Sequence, residues 1–264
     1  MQVSHIGILK AQGHGLGNQM FLIASTIGIA EAHKVKYGFA KWKNNEYFAN
    51  SLPDLEPGVA TTIKEKSWDY HPVIIPVDRL VYLDGYFQSH KHFINSEKTV
   101  RDTFEFKKSL VDDVNNILSQ GNLGDTCSIH VRRGDYLNYP NIHPQQPKDY
   151  WVNAQKQIES KNNVDTYIVF SDDHTWCKLN IGLFSQTGKK VLFYKGRTQI
   201  DDFIGISLCK HNIITNSTFS WWAAWLNKNP NKTIIMPKLW FGSEGPWSGP
   251  TNADSLAVDG WLRL

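Results

Sequence analysis

Between residues 126 and 237 the chain alternates short β-branched runs with helix-patterned segments, and that alternation leaves few folds open. TCSIHV (126–131), TYIVFS (166–171), VLFY (191–194), NIIT (212–215) and TIIMP (233–237) read as strands. Residues 149–160, 173–181, 200–208 and 218–228 between them read as helices, with Asp149 near the start of the first. Strands that alternate with helices predict parallel βαβ units, so this half is expected to be Rossmann-like α/β. Such a sheet gathers the C-terminal ends of its strands along one edge, and ligands bind there.

The first half opens in the same way. VSHIGIL (3–9) reads as a strand and QGHGLGNQ (12–19) as a glycine-rich loop. A helix follows, in which Met20, Ile23, Ile27 and Ala30 recur at intervals of three and four. The spacing of Gly13, Gly15 and Gly17 does not fit the dinucleotide pattern G-x-G-x-x-G. Residues 40–80 carry Pro53, Pro57, Pro72 and Pro76 and read as loops with short pieces of structure; 81–87 reads as a strand interrupted by a glycine. One helix is expected over 97–118, with Val111, Val114 and Leu118 facing a core. The turn cluster QGNLGD (120–125) is the expected link between domains 1–122 and 123–264, and the tail after Trp240 reads as irregular.

A net charge of +3 gives no reason to expect a nucleic-acid partner. Ten Trp and ten Tyr exceed what a core of this size needs, and aromatic rings stack on the apolar faces of sugars, although most are expected in the core. Cys127, Cys177 and Cys209 form no CxxC pair and lie in no zinc-type cluster, so reduced thiols and a cytoplasmic location are expected. No apolar run approaches the ~20 residues that cross a bilayer. The start MQVSHIGILK lacks a signal-peptide core, so the sequons at Asn216 and Asn231 are expected to be accidental.

The chemistry-bearing segments fall at predicted strand ends. In HVRRGDYL (130–137), Arg132 and Arg133 alternate in direction, and a guanidinium there suits a phosphate. An arginine–aspartate surface pair, worth about 0–1 kcal/mol, is the plainer reading of the same residues. In NSTFS (216–220), Asn216, Ser217, Thr218 and Ser220 open a helix, where they either bind an anion or only cap the helix. Asp172 and Asp173 read as N-capping residues. As a metal pair they lack a third ligand nearby in sequence, so no metal is expected.

GLGNQMF (15–21), DGYFQSHKHF (84–93), HVRRGDYL (130–137), FSDD (170–173) and CKHNIITNSTFSWWAAW (209–225) occur in one order along the chain. The set resembles the alpha-1,2-fucosyltransferases of glycosyltransferase family 11, and HxRRxD is shared with other inverting fucosyltransferases that use GDP-fucose. The resemblance implies a GT-B fold, two Rossmann-like domains facing a cleft, with the donor nucleotide on the C-terminal one. The implied reaction is inverting, metal-independent transfer of L-fucose from GDP-fucose to the 2-hydroxyl of a terminal galactose in a glycan. It implies no cofactor beyond the donor substrate, no membrane span and at most peripheral membrane association.

By the same resemblance Arg132 acts on the donor diphosphate and His130 lies beside the guanosine. One carboxylate of Asp172 and Asp173 meets the guanine edge, and Asn216, Ser217, Thr218 and Ser220 surround the phosphates. Asn18 faces the reacting centre from the other domain, and Asp135 either activates the acceptor or holds an arginine. The chain departs from the family pattern at His14, Leu22–Ile23 and Ala223, and in the loop with Pro140, Pro144 and Pro147. Two alternatives remain open: transfer of another GDP-deoxysugar such as rhamnose, and a non-catalytic glycan-binding protein on the same fold.

Overall fold

The computed structural model describes residues 5–8, 15–55, 58–76, 79–246 and 251–264. The chain forms two compact α/β units, Met1–Lys108 with Asp254–Ala257, and Ser109–Ala253 with Val258–Leu264. The ends of the expected strand over 3–9, and Gly13 and His14 of the glycine-rich loop, lie outside the described residues.

In the first unit, β1 (His5–Ile8), α1 (Leu16–His33), β2 (Lys36–Phe39), β3 (Ala60–Lys64), β4 (Leu80–Asp84) and α2 (Glu97–Thr103) follow one another. The strands form a parallel sheet in the order β2-β1-β4-β3. Helix α1 is apolar on every side and is buried almost throughout from Leu16 to Ala30. At Gly28 it touches the backbone of His92 and Phe93 so closely that a Cβ would overlap it. Strand β3 lies within the stretch that reads as loops, because its two threonines are exposed and show no buried face.

The single helix expected over 97–118 is two. Helix α2 stops at Thr103 and α3 (Lys108–Ser119) begins after four intervening residues. Between them Phe106 pairs with Phe48 in an antiparallel bridge, and Phe104 packs 5.4 Å from the Phe48 ring. Tertiary packing of these aromatics overrides the local helical pattern.

After α3, the second unit continues with β5 (Thr126–Val131), α4 (Lys148–Glu159), β6 (Thr166–Ser171), α5 (His174–Leu179), β7 (Lys190–Tyr194) and α6 (Gln199–Leu208). It ends with β8 (His211–Ile213), α7 (Thr218–Leu226), β9 (Ile234–Met236), β10 (Leu239–Phe241), β11 (Thr251–Asn252) and β12 (Leu262–Arg263). Six of these strands form a parallel sheet ordered β12-β9-β8-β5-β6-β7. Counted from β5, that is the 3-2-1-4-5-6 order of dinucleotide-binding domains. Among its described residues the tail carries short regular pieces: β10 and β11 form an antiparallel ribbon, and β12 is the sixth strand of the sheet.

Most of the aromatic excess is core. Trp151, Trp221, Trp222, Trp225 and Trp240 are buried, and the first of these packs with Tyr150 and Tyr167 in one apolar cluster with Cys127 and Cys177. All three cysteines are free and buried.

Candidate functional site

Strand β5 continues through α4 to β6 on one side, while β8 lies on its other side. The loops leaving the carboxyl ends of β5 and β8 therefore part in opposite directions, and the crevice between them is the topological switch point of the sheet. Register fixes which residues meet there. Val131 pairs with Ser171 as the last rung between β5 and β6, so Arg132 and Asp172 are the first residues beyond the ladder. Ile129 pairs with Ile213, so Arg132 and Asn216 each stand three residues past that rung. Topology thus brings RRGD, SDD and NSTFS together from distant parts of the chain.

The two arginines diverge, as alternation requires. Arg132 reaches Asp135 Oδ1 through Nη2 at 2.6 Å and Asp172 Oδ2 through Nη1 at 2.9 Å. Its guanidinium also lies 5.4 Å from the centre of the Tyr136 ring. Arg133 turns the other way and donates through Nε to Asp173 Oδ2 at 3.0 Å, with its guanidinium 4.1 Å above the Trp176 ring. The Arg133 amide N–H donates to Asp172 Oδ1 at 2.9 Å. A Cβ on Gly134 would stand 2.5 Å from Asp172 Oδ2, so only glycine lets this carboxylate approach.

Asp173 caps α5 by accepting the Trp176 N–H at 3.0 Å. That bond, with the Arg133 guanidinium, holds its carboxyl below the usual carboxylate range against the effect of burial. All four oxygens of the aspartate pair are thus engaged by arginines or backbone N–H groups. Among the described residues there is no group of three or more His, Cys, Asp or Glu arranged to hold a metal.

The NSTFS segment divides into two parts. Asn216 is buried, and its carboxamide is fully used. It accepts from Thr215 Oγ1 at 2.8 Å and Gln146 Nε2 at 3.0 Å, and donates to the carbonyls of Pro144 and Trp240. This residue ties the 136–147 segment to the strand end, and its burial excludes glycan attachment at this sequon. Ser217 is the N-cap of α7, but its side chain makes no capping bond. Thr218, Phe219 and Ser220 form the first turn of α7, where the helix dipole places a partial positive charge. Ser220 Oγ donates back to the Ser217 carbonyl at 3.2 Å.

Local sequence gave no sign of the residues that close this site. Tyr136 donates its hydroxyl to the Asn216 carbonyl at 3.0 Å and stacks on His143 with ring centres 4.1 Å apart. Burial pushes the Tyr136 phenol up to about 12. His130, buried in β5, is pushed down to about 3 by burial, with Arg132 adding to the effect. Its imidazole is therefore neutral at pH 7, and Nδ1 is a buried nitrogen with no hydrogen-bond partner. The arrangement offers a fixed guanidinium, a helix start and a neutral imidazole along one strand edge, and these features suit an anion with an attached polar ring.

Asn18 belongs to the first unit, as the third residue of α1. Its Oδ1 accepts from Gln88 Nε2 at 3.1 Å. The neighbouring Gln19 has a structural use, accepting from Trp42 Nε1 at 2.7 Å and Asn44 Nδ2 at 2.8 Å.

Residues 33–244 match the family model described as Glycosyl transferase family 11, a stretch that contains both arginines and the α7 start but not Asn18. The O-antigen biosynthesis glycosyltransferase WbnK of Escherichia coli is 32% identical over 67% of this chain and 53% of its own length. An alpha-1,2-colitosyltransferase of the same species is 30% identical over 68% of this chain and 61% of its own. Human galactoside alpha-(1,2)-fucosyltransferase 1 is 29% identical over 68% and 53%. The matched part of the chain thus spans between half and two thirds of these relatives.

Among solved structures, POFUT1 in complex with GDP superposes with a TM-score of 0.54 at 10% identity, covering 89% of this chain and 98% of that one. The alpha-1,6-fucosyltransferase NodZ soaked with GDP-fucose gives 0.54 at 13% identity, covering 86% and 93%. These likenesses show the fold, which is GT-B-like α/β. The chain belongs to glycosyl transferase family 11.

Proposed function

We propose that this protein transfers L-fucose from GDP-fucose to the 2-hydroxyl of a terminal galactose, with inversion and without a required metal. The observation that carries the reading is Arg132 at the switch point, level with the start of α7 across the β5–β8 rung. Breaking the fucosyl–phosphate bond leaves charge on GDP. A preorganised guanidinium and the positive end of the α7 dipole would stabilise that charge as it develops. Neutral His130 adds an unpaired ring nitrogen for the nucleoside. Metal independence is supported by the arginines and N–H groups that already occupy Asp172 and Asp173.

In this mechanism Asp135 either takes the acceptor proton or holds Arg132 in place, and the 2.6 Å ion pair between them supports the second role. Asn18 contacts substrate from the first unit. A reducing compartment such as the cytoplasm suits the three buried free thiols. A second donor deserves a test because one relative is named a colitosyltransferase: the same site would take another GDP-activated deoxysugar.

Calorimetry with GDP, followed by turnover of a panel of GDP-sugars before and after EDTA treatment, tests the reading. GDP binding, preference for GDP-fucose and activity retained after EDTA are expected. No GDP binding would leave only a glycan-binding role, and activity restored only by added metal would overturn metal independence.

A further inference from the structure

In the first unit the chain leaves β2 at Phe39 and comes back to it. The Phe39 N–H donates to the Pro53 carbonyl at 2.9 Å, and the Leu55 N–H donates to the Phe39 carbonyl at 3.1 Å. Phe39 and Asp54 form a parallel bridge, so residues 40–53 make a loop with adjoining ends, a form that often carries function. The loop is fixed from within. Its buried Trp42 stacks on Phe48 with ring centres 5.4 Å apart, and Phe48 stacks on Phe106 at 5.3 Å. Trp42 Nε1 and Asn44 Nδ2 both donate to Gln19 Oε1, at 2.7 and 2.8 Å. Gln19 follows Asn18 in the first turn of α1, so these bonds anchor the loop at the carboxyl-terminal edge of the first sheet. That edge is where an open α/β sheet binds its ligands.

The loop borders an open cavity of about 600 Å³, inside the roughly 300–1,000 Å³ range of small-ligand sites. Phe39, Trp42 and Leu52 give it an apolar wall. Its polar lining comes from Lys41, Lys43, Asn45, Glu46, Ser51 and Asp54. Among the described residues, none of these six side chains makes a hydrogen bond or ion pair. The two lysines and two carboxylates cancel in charge, which disfavours a phosphate or a polycation. Closely spaced donors and acceptors beside an apolar wall match a neutral sugar, whose hydroxyls both donate and accept and whose C–H face is apolar.

We propose that this cavity is an acceptor subsite, which binds a neutral sugar of the glycan beyond the galactose that receives fucose. Asn45 and the two lysines donate to its hydroxyls, Glu46 and Asp54 accept from them, and the apolar wall meets its C–H face. The inference rests on the fucosyltransferase reading and names the part of the first unit that selects the glycan.

The test compares acceptors of two lengths on the full chain. With GDP-fucose as donor, kcat/KM is measured for methyl β-galactoside and for a neutral galactose-terminated tetrasaccharide. Wild type, Asn45→Ala, Asp54→Ala and the double variant are compared, and tetrasaccharide binding without donor is followed by NMR titration. Wild type should prefer the tetrasaccharide. Each single variant should cut that preference about two- to tenfold, the worth of one hydrogen bond, through KM and the dissociation constant. Asp54 is exposed and Asn45 half-buried, and Ser51→Ala in the same lining replaces either variant if it does not fold. A preference unchanged in folded variants, no preference in wild type, or an equal loss with methyl β-galactoside would overturn the proposal. A wild type that turns over no GDP-fucose, yet binds the tetrasaccharide through Asn45 and Asp54, would remove the transfer reading and leave the subsite. Absence of that binding as well would overturn both.

Discussion

Replacing Arg132 by lysine separates what this side chain does for stability from what it does for the reaction. Its guanidinium joins Asp135 at 2.6 Å and Asp172 at 2.9 Å through two different nitrogens. The single nitrogen of lysine cannot occupy both positions. The stability cost is small, because Arg132 is 35% exposed and Asp135 62% exposed, so solvent screens the pair. About 0–1 kcal/mol is expected, which in a chain of this size lowers Tm by at most about 4 °C. Loss of a preorganised donor to the departing diphosphate is a different scale, roughly 2.7–4 kcal/mol, or 10²–10³ in rate. Arg132→Lys should therefore melt close to wild type while its kcat with GDP-fucose falls at least about a hundredfold. Thermal melts and initial rates measured on the same preparation make the comparison. Near-normal turnover in a folded variant would refute the assignment of Arg132 to the diphosphate.

Three further outcomes follow from the geometry. His130 is held near 3 by burial, whereas the unfolded imidazole takes its proton near 6.5. Its contribution is therefore complete above about pH 6.5 and declines as pH falls towards 3, costing about 1.4 kcal/mol at pH 5.5. Urea unfolding at pH 7.5 and 5.5 should show a smaller pH effect in His130→Phe than in wild type; an identical effect would mean His130 is not buried in its neutral form. Gly28→Ala puts a Cβ into the His92–Phe93 backbone and should destabilise by about 1–3 kcal/mol in chemical denaturation; a neutral result would contradict the packing of α1. Asp135→Asn should reduce transfer to the acceptor and acceptor-free hydrolysis of GDP-fucose alike, as its ion pair with Arg132 requires, whereas a loss confined to transfer would make Asp135 the base for the acceptor hydroxyl.

The second sheet was legible because its strands are buried and β-branched, and β5 and β6 have the limits their residues predict. The first sheet was less so: β3 has two adjacent exposed threonines and no alternating pattern, and the break between α2 and α3 depends on Phe106 reaching back to Phe48. β12 is too short to carry a pattern and becomes a strand only by pairing with β9. In the site, the motifs pointed to Arg132, His130 and the α7 start, all of which lie at ends of strands the sequence revealed. Asn216 looked like a ligand residue but is consumed by buried hydrogen bonds, because NSTFS begins before the helix does. The Tyr136–His143 stack and the Gln88–Asn18 hydrogen bond depend on contacts that no local spacing encodes.

The linkage of the product tests the central claim most directly. The protein is incubated with GDP-fucose and a set of galactose-terminated oligosaccharides, and the product is examined by NMR. An alpha-linked fucose on the galactose 2-hydroxyl, with the anomeric configuration of the β-linked donor inverted and GDP released, is the predicted result. Fucose attached at another hydroxyl, a retained configuration, or GDP-fucose left untouched by a protein that binds GDP would contradict it.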